Sequence, residues 1–296
     1  MVTDPKHTLS FAPAFAALVI GAIAMGISPV FVRFAEVGPF ASAFWRVALA
    51  LPFLFAWAAV EERRSGLTLA GLLQFDRAII LAGIFFAGDL FFWHLAILNT
   101  TIANATLLAC LAPVWVVLFS GLLIGEAVGR QAYYGLILCL TGTAALIGSS
   151  FALAPERLMG DVYGFLTSVF FGFYFLAIRV ARRQRQAGAV TFMSTVITMM
   201  LLLAVTLISG QGFLPQTTIG IAALLALGLV SHCLGQGLLA VALGALSAAF
   251  SSLVIFIEAL AAAVLGWLIL SEALTPLQLL GGGFILLGVW VARPRD

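Results

Sequence analysis

What most constrains the fold of this chain is the spacing of its apolar runs. Ten segments, at about 11–34, 38–60, 78–99, 101–123, 130–149, 159–180, 190–209, 218–240, 246–270 and 276–292, are long enough to cross about 30 Å of hydrocarbon as helices. The connections between them are short, and no polar stretch is long enough to form a separate soluble domain. In lipid every backbone N–H and C=O must be satisfied within the protein, so such segments have to be helical. Only 9% of the residues are charged against 63% hydrophobic, where a soluble domain carries about 25% charged residues. That leaves too little polar surface to cover a water-soluble particle. The chain reads as an all-α polytopic membrane protein. Its net charge of +2 comes from scattered residues rather than a basic stripe, which gives no footprint for nucleic acid.

The first segment contains Ala22-Ile23-Ala24, which has the pattern of a signal cleavage site, but the apolar run continues past it through Ser28-Pro29. It is therefore expected to remain as a span. An even number of spans returns the chain to the side on which it started. Eleven basic residues, among them Arg63, Arg64, Arg179 and the cluster Arg182-Arg183-Gln184-Arg185, fall on the side of the termini, against Arg33 and Arg157 on the other. The positive-inside rule then places both termini in the cytoplasm, and the expected location is a cell inner membrane. The arginine cluster is read as a topological anchor, with lipid headgroups as the alternative partner.

The two halves echo each other at an offset of 146: Arg33 falls on Arg179, Glu126-Ala127 on Glu272-Ala273, Gly135 on Gly281, Gly142 on Gly288 and Thr101 on Ser247. The rare polar residues and the segment limits align together under this shift. Five spans per repeat is an odd number, so the second repeat must enter the membrane from the opposite side. The expectation is two inverted five-helix repeats, 1–149 and 150–296, forming one integral transport domain with a site near the midplane between them.

Within the ninth segment, from Ser247 to Leu270, Glu258 is the one ionisable residue near the middle. A charged side chain at bilayer depth costs about 2.5–3.5 kcal/mol on insertion scales unless it faces protein, water or a partner. At about 100° per residue, Ser247, Ser251, Val254 and Glu258 share one helix face. The counterpart in the first half is Thr101, Ala105, Leu108 and Ala112, continuing to Trp115, with Asn104 at nearly the same angle as Trp115. Two such faces turned toward one space would enclose an aromatic wall, an amide and a carboxylate. That combination suits a small amphipathic solute better than a bare ion.

Arg46 lies roughly 12 Å into its span at 1.5 Å per residue. It is read either as a guanidinium for a substrate carboxylate or as the ion-pair partner of Glu258. Asp89 and His94 are five residues apart and point about 140° away from each other, so they form no dyad. Asp89 is a candidate proton carrier. His94, beside Trp93, suits an aromatic solute or an ordinary interhelical hydrogen bond. In the sixth segment Phe171 and Tyr174 belong to an aromatic run that serves as packing or as a stacking wall with the Tyr174 hydroxyl as its polar handle. His232 and Gln236, one turn apart, are expected to border the cavity. Pro29 and Pro52 are candidate hinges, because a kinked span needs neighbours or water to satisfy its freed carbonyls. Gly281, Gly282 and Gly283 allow close helix approach within one protomer or across a homo-oligomer. Cys110, Cys139 and Cys233 lack ligand or disulfide spacing and are read as small packing residues.

No HExxH, Walker loop, GxSxG elbow or cysteine–histidine metal pattern occurs, so no catalytic residue, metal or cofactor is assigned. Phe44-Trp45-Arg46 in the second segment, Asn99-Thr100-Thr101 entering a fourth with Pro113, and Gly-Glu-Ala and Ser-Glu-Ala closing the fourth and ninth carry a resemblance to a known superfamily. With the five-plus-five plan, the chain resembles the drug/metabolite transporter superfamily, within it the EamA-type permeases and the YddG-type exporters of aromatic amino acids. The resemblance implies a central cavity lined by spans 1–4 and 6–9, with spans 5 and 10 as peripheral scaffold. The expected activity is secondary transport or facilitation by alternating access, exporting aromatic or other apolar amino acids. The expected partners are such a solute and the lipid bilayer, with no nucleic acid. The alternatives are a multidrug or other metabolite permease of the same fold, and a membrane-embedded enzyme or structural subunit.

Overall fold

The computed structural model describes residues 9–100, 102–147, 155–210, 212–270 and 275–294, and among these there is no strand. Thr101, Glu272-Ala273 and the boundary at 149/150 lie outside the described residues. The apolar runs are helical, and several are built from two helices in succession. The first comprises α1 (Phe11–Gly26) and α2 (Ser28–Phe34), the second α3 (Pro39–Ala48) and α4 (Leu51–Arg64), and the third α5 (Arg77–Asn99). The fourth is α6 (Ile102–Ala109), α7 (Ala112–Phe119) and a π-helical turn at Ser120–Ile124, followed by α8 (Arg130–Ile147). The second half holds α9 (Leu158–Arg182), α10 (Ala187–Ser209), and α11 (Thr218–Ala226) leading through π-helical Leu227–Gln236 into α12 (Gly237–Ala242). It ends with α13 (Ala248–Val254), α14 (Phe256–Leu270) and α15 (Pro276–Val291).

Three of the breaks have one cause. Pro29, Pro52 and Pro113 occupy the first turns of α2, α4 and α7. Proline lacks the N–H for the preceding turn and clashes with its carbonyl, yet is well suited to start a helix. The α13/α14 break contains no proline. There Ile255 N–H and Glu258 N–H reach back only three residues, to Ser252 and Ile255, and the Ser252 hydroxyl bonds the Ala249 carbonyl at 2.8 Å. Such back-bonding by serine loosens a helix.

Seven helical stretches among the described residues are long and apolar enough to cross a membrane, against the ten expected. The difference falls on the fifth, ninth and tenth segments. α8 opens on the polar Arg130-Gln131, while Ala248–Ala261 and Pro276–Val291 count as shorter apolar helices. The start of α1 and the residues just after α15 meet at one end of the bundle, where the Arg293 guanidinium lies 5.0 Å from the centre of the Phe11 ring. At the opposite end Gly38 N–H donates to the Gly212 carbonyl at 3.0 Å, and the Glu36 carboxylate accepts the Thr217 hydroxyl at 2.8 Å.

α8 and α15 pack on each other through glycines. A Cβ on Gly135 would stand 2.6 Å from the Gly288 carbonyl oxygen, and one on Gly142 2.5 Å from that of Gly281. Gly135 therefore faces Gly288 while Gly142 faces Gly281, and the two helices run antiparallel. Because Gly135 and Gly281, and likewise Gly142 and Gly288, stand 146 apart, exchanging the halves maps one contact onto the other, as two-fold packing requires. Gly281 thus makes its close approach within the protomer. α9 packs along α5 and against α6 and α7, and α1 packs correspondingly against the π-helical segment, α12 and α14.

Candidate functional site

Between these helices lies a cavity of about 300 Å³. Its walls come from the first, second, third, fourth, sixth, eighth and ninth segments, and neither α8 nor α15 contributes. α2, the second half of α5, α6 and the first half of α9 supply ten of the 22 lining residues, which places this part of the lining in the half of the bundle remote from the start of α1 and the end of α15. Breaks in spanning helices are tolerated where the irregular backbone borders a cavity. Here Met25 and Pro29, Cys110 and Pro113, and Ile255 and Phe256 all border it.

Arg46, Asp89 and Glu258 all line this space. The Arg46 side chain is buried; its Nη1 donates to Ser28 Oγ at 3.2 Å, its guanidinium carbon stands 6.0 Å from the Phe86 ring centre, and Nε has no partner. Phe86 is itself held between the rings of Tyr174 at 4.7 Å and His232 at 5.3 Å. Among the described residues no ion pair joins Arg46 to Asp89 or Glu258, and neither carboxyl accepts a hydrogen bond. Trp93, Phe171 and Phe256 supply the aromatic surface, and Thr106, Thr167 and Gln236 add neutral polar groups. The site thus offers both signs of charge and three aromatic side chains.

Of the residues singled out in the sequence, Arg46, Asp89, Trp93, Phe171, Glu258 and Pro29 come together here. Gln236 lines it as well, whereas His94, Asn104, Trp115, Tyr174, Ser251 and Pro52 lie outside the lining. Tyr174 donates its hydroxyl to Gln236 Oε1 at 3.1 Å, and Gln236 Nε2 reaches Met25 Sδ at 3.1 Å, so Tyr174 orients a lining residue. His94 donates Nδ1–H to the Leu90 carbonyl at 2.6 Å and leaves Nε2 buried without a partner. Asn104 donates to Asp161 Oδ1 at 3.0 Å, and Thr100 donates to the same oxygen at 2.7 Å, which ties the start of α6 to the first turn of α9. Trp115 donates Nε1–H to Ser168 Oγ at 2.9 Å and fits against Gly172 of α9. Pro52 is exposed on the outer surface of α4.

The polar seam read on the ninth segment is interrupted. Ser247 caps α13 by accepting Phe250 N–H, Ser251 and Val254 are fully buried, and only Glu258 reaches the cavity, beyond the break at Ile255. On the counterpart face, Ala105 and Leu108 pack against Gly164 of α9 rather than facing the cavity. The face that does line it carries Thr106, Cys110 and Pro113 at helical spacing, a stripe that periodicity could have picked out. Cys110, read as packing, is a lining residue.

A profile of the EamA-like transporter family matches this chain twice, over residues 12–148 and 158–293. An uncharacterized transporter of Archaeoglobus fulgidus is 28% identical over 279 residues, covering 94% of this chain and 95% of that protein. The pseudopaline exporter CntI of Pseudomonas aeruginosa is 30% identical over 208 residues, covering 70% of this chain and 72% of that protein. One protein of known crystal structure, 20% identical, superimposes with a TM-score of 0.79 over 94% of this chain and 96% of that one, and so shares the fold.

Proposed function

The chain belongs to the EamA-like transporter family, and from that premise we propose that it is a secondary transporter or facilitator that exports small organic solutes across an inner membrane by alternating access. In this reading ten spans form two inverted five-helix repeats, 1–149 and 150–296, with both termini in the cytoplasm. The antiparallel, mutually exchanged glycine contacts of α8 and α15 support the inversion.

One observation carries the reading of the site. Residues of the scaffold recur at the offset of 146, and so does Arg33 of the lining as Arg179, whereas the three charged residues deeper in the cavity do not: Arg46 stands opposite Phe192, Asp89 opposite Gly235 and Glu258 opposite Ala112. An intramembrane charge that the repeated scaffold does without, and that no other charged side chain among the described residues pairs, belongs to the solute. The favoured solute is an amino acid with an aromatic or other apolar side chain. Arg46 would meet its carboxylate, Glu258 and Asp89 its ammonium group, and Trp93 and Phe171 its side chain.

A second reading is a metabolite permease for a different solute, favoured by the similarity to an exporter of pseudopaline. Counterflow of labelled aromatic amino acids into proteoliposomes, with competition by other amino acids and by lipophilic cations, separates the two. Selective competition by zwitterionic amino acids supports the first reading. Counterflow carried only by other metabolites or by lipophilic cations removes the amino-acid assignment, and no flux of any of them counts against transport.

A further inference from the structure

We propose that Glu126 is a latch that holds the end of the molecule near the chain termini shut while the cavity is open toward the other end. The proposal rests on the transport reading above and adds to it where the moving contact lies. Glu126 follows Gly125, whose positive φ of 69° ends the fourth segment and turns the chain back toward α9. The Glu126 carboxylate accepts Arg179 Nε on one oxygen, with Arg183 Nη2 at 3.5 Å, and Ala248 N–H at 2.9 Å on the other. Arg179 also donates to the Leu243 carbonyl at 2.6 Å, so one partly buried ion pair joins the connection after α7, the end of α9 and both sides of the turn into α13.

The position of this cluster relative to the cavity gives it its meaning. Pro113 on α7, Phe171 on α9 and Phe256 at the start of α14 border the cavity. Following each helix away from it for roughly 12–16 Å, at 1.5 Å per residue, leads to Ile124, Arg179 and Ala248. Three helices that enclose the cavity therefore converge on one carboxylate. A solute could leave toward the termini only if they part, and parting them breaks the bonds to Glu126. At the other end Arg33, the residue 146 before Arg179, is exposed in the cavity lining and has no ion-pair partner among the described residues. Asp76 and Arg185 make a comparison pair at 3.1 Å, but they join α5 to the end of α9, two helices that already pack along their lengths.

Cys110, in the cavity lining, provides the reporter. With Cys139→Ala and Cys233→Ala, the protein is placed in sealed proteoliposomes of known orientation and treated with a membrane-impermeant maleimide from either side. The parent is expected to label at Cys110 from the side remote from the termini. Glu126→Gln is expected to raise labelling from the termini side about fivefold or more, Arg179→Gln to do the same, and Asp76→Asn to leave it unchanged. Unaltered sidedness in both latch variants, in protein that stays monodisperse and still performs counterflow, overturns the latch and leaves transport standing. A parent with no counterflow for any solute overturns the transport reading instead.

Discussion

Arg46 and Glu258 face the same cavity without forming an ion pair. Arg46 spends one nitrogen on the Ser28 hydroxyl, and Glu258 sits in the first turn of α14, just beyond the break that turns it toward the cavity. A guanidinium and a carboxylate held apart in one hollow can take the two ends of a zwitterion at once, which a closed salt bridge could not.

Removing the acid should therefore weaken solute binding while leaving the fold intact. Glu258→Gln keeps shape and loses charge, and a hydrogen bond to a charged group contributes about 1.5–3 kcal/mol. The expected result is a rise of roughly 10- to 100-fold in the half-saturating concentration for amino-acid counterflow, with unchanged thermal stability in detergent. Unchanged flux at every solute concentration would take Glu258 out of the site.

Arg46→Lys preserves the positive charge but not the planar fork that can hold Ser28 and a carboxylate together. Competition by solutes lacking a carboxylate should be little affected, whereas carboxylate-bearing solutes should lose affinity. Equal loss for both classes would make Arg46 a packing residue.

Tyr174→Phe removes the hydroxyl that orients Gln236 and nothing that touches the cavity directly. Loss of one neutral hydrogen bond costs about 1 kcal/mol, so solute affinity should fall by only a few-fold and the order of preference among solutes should shift with it. An affinity and order identical to the parent would show that Gln236 needs no such support.

Asn104→Ala and Trp115→Phe each break a bond to α9, at Asp161 and Ser168. Each should lower stability by about 1 kcal/mol, read as a drop in melting temperature in detergent, with solute ranking unchanged. A change in ranking would move either residue into the binding surface.

Gly142→Ala places a methyl group against the Gly281 carbonyl at the α8–α15 crossing. Overpacking of this kind costs about 1–3 kcal/mol. The expected phenotype is reduced stability in detergent, with counterflow per folded molecule retained.

The helical course of this chain was legible in its sequence because the controlling forces are local. Lipid obliges long apolar runs to be helices, and proline in a run imposes a break within a residue or two of where it stands; Pro29, Pro52 and Pro113 each open a helix at such a break. The repeat at 146 was equally legible, and Gly135, Gly142, Gly281 and Gly288 meet in the exchanged contacts that it implies.

Which polar groups share the cavity was settled only by tertiary packing. Helical periodicity put Ser251 and Glu258 on one face, but periodicity assumes an unbroken helix, and the turn at Ile255 buries the first and opens the second to the cavity. Asn104, Trp115 and Tyr174 carried the same polar signal as the lining residues, and each found its partner on a helix distant in sequence. The arginines from 179 to 185, countable as a topological signal, turn out to donate to the carbonyls of Leu243, Ala240, Ile124 and Gly71. Sequence determined that these polar groups lay at membrane depth or at its edge, because that depends on neighbours along the chain. Whether each met a helix or a hollow depended on the rotation and approach of helices far apart in sequence, which only the folded structure decided.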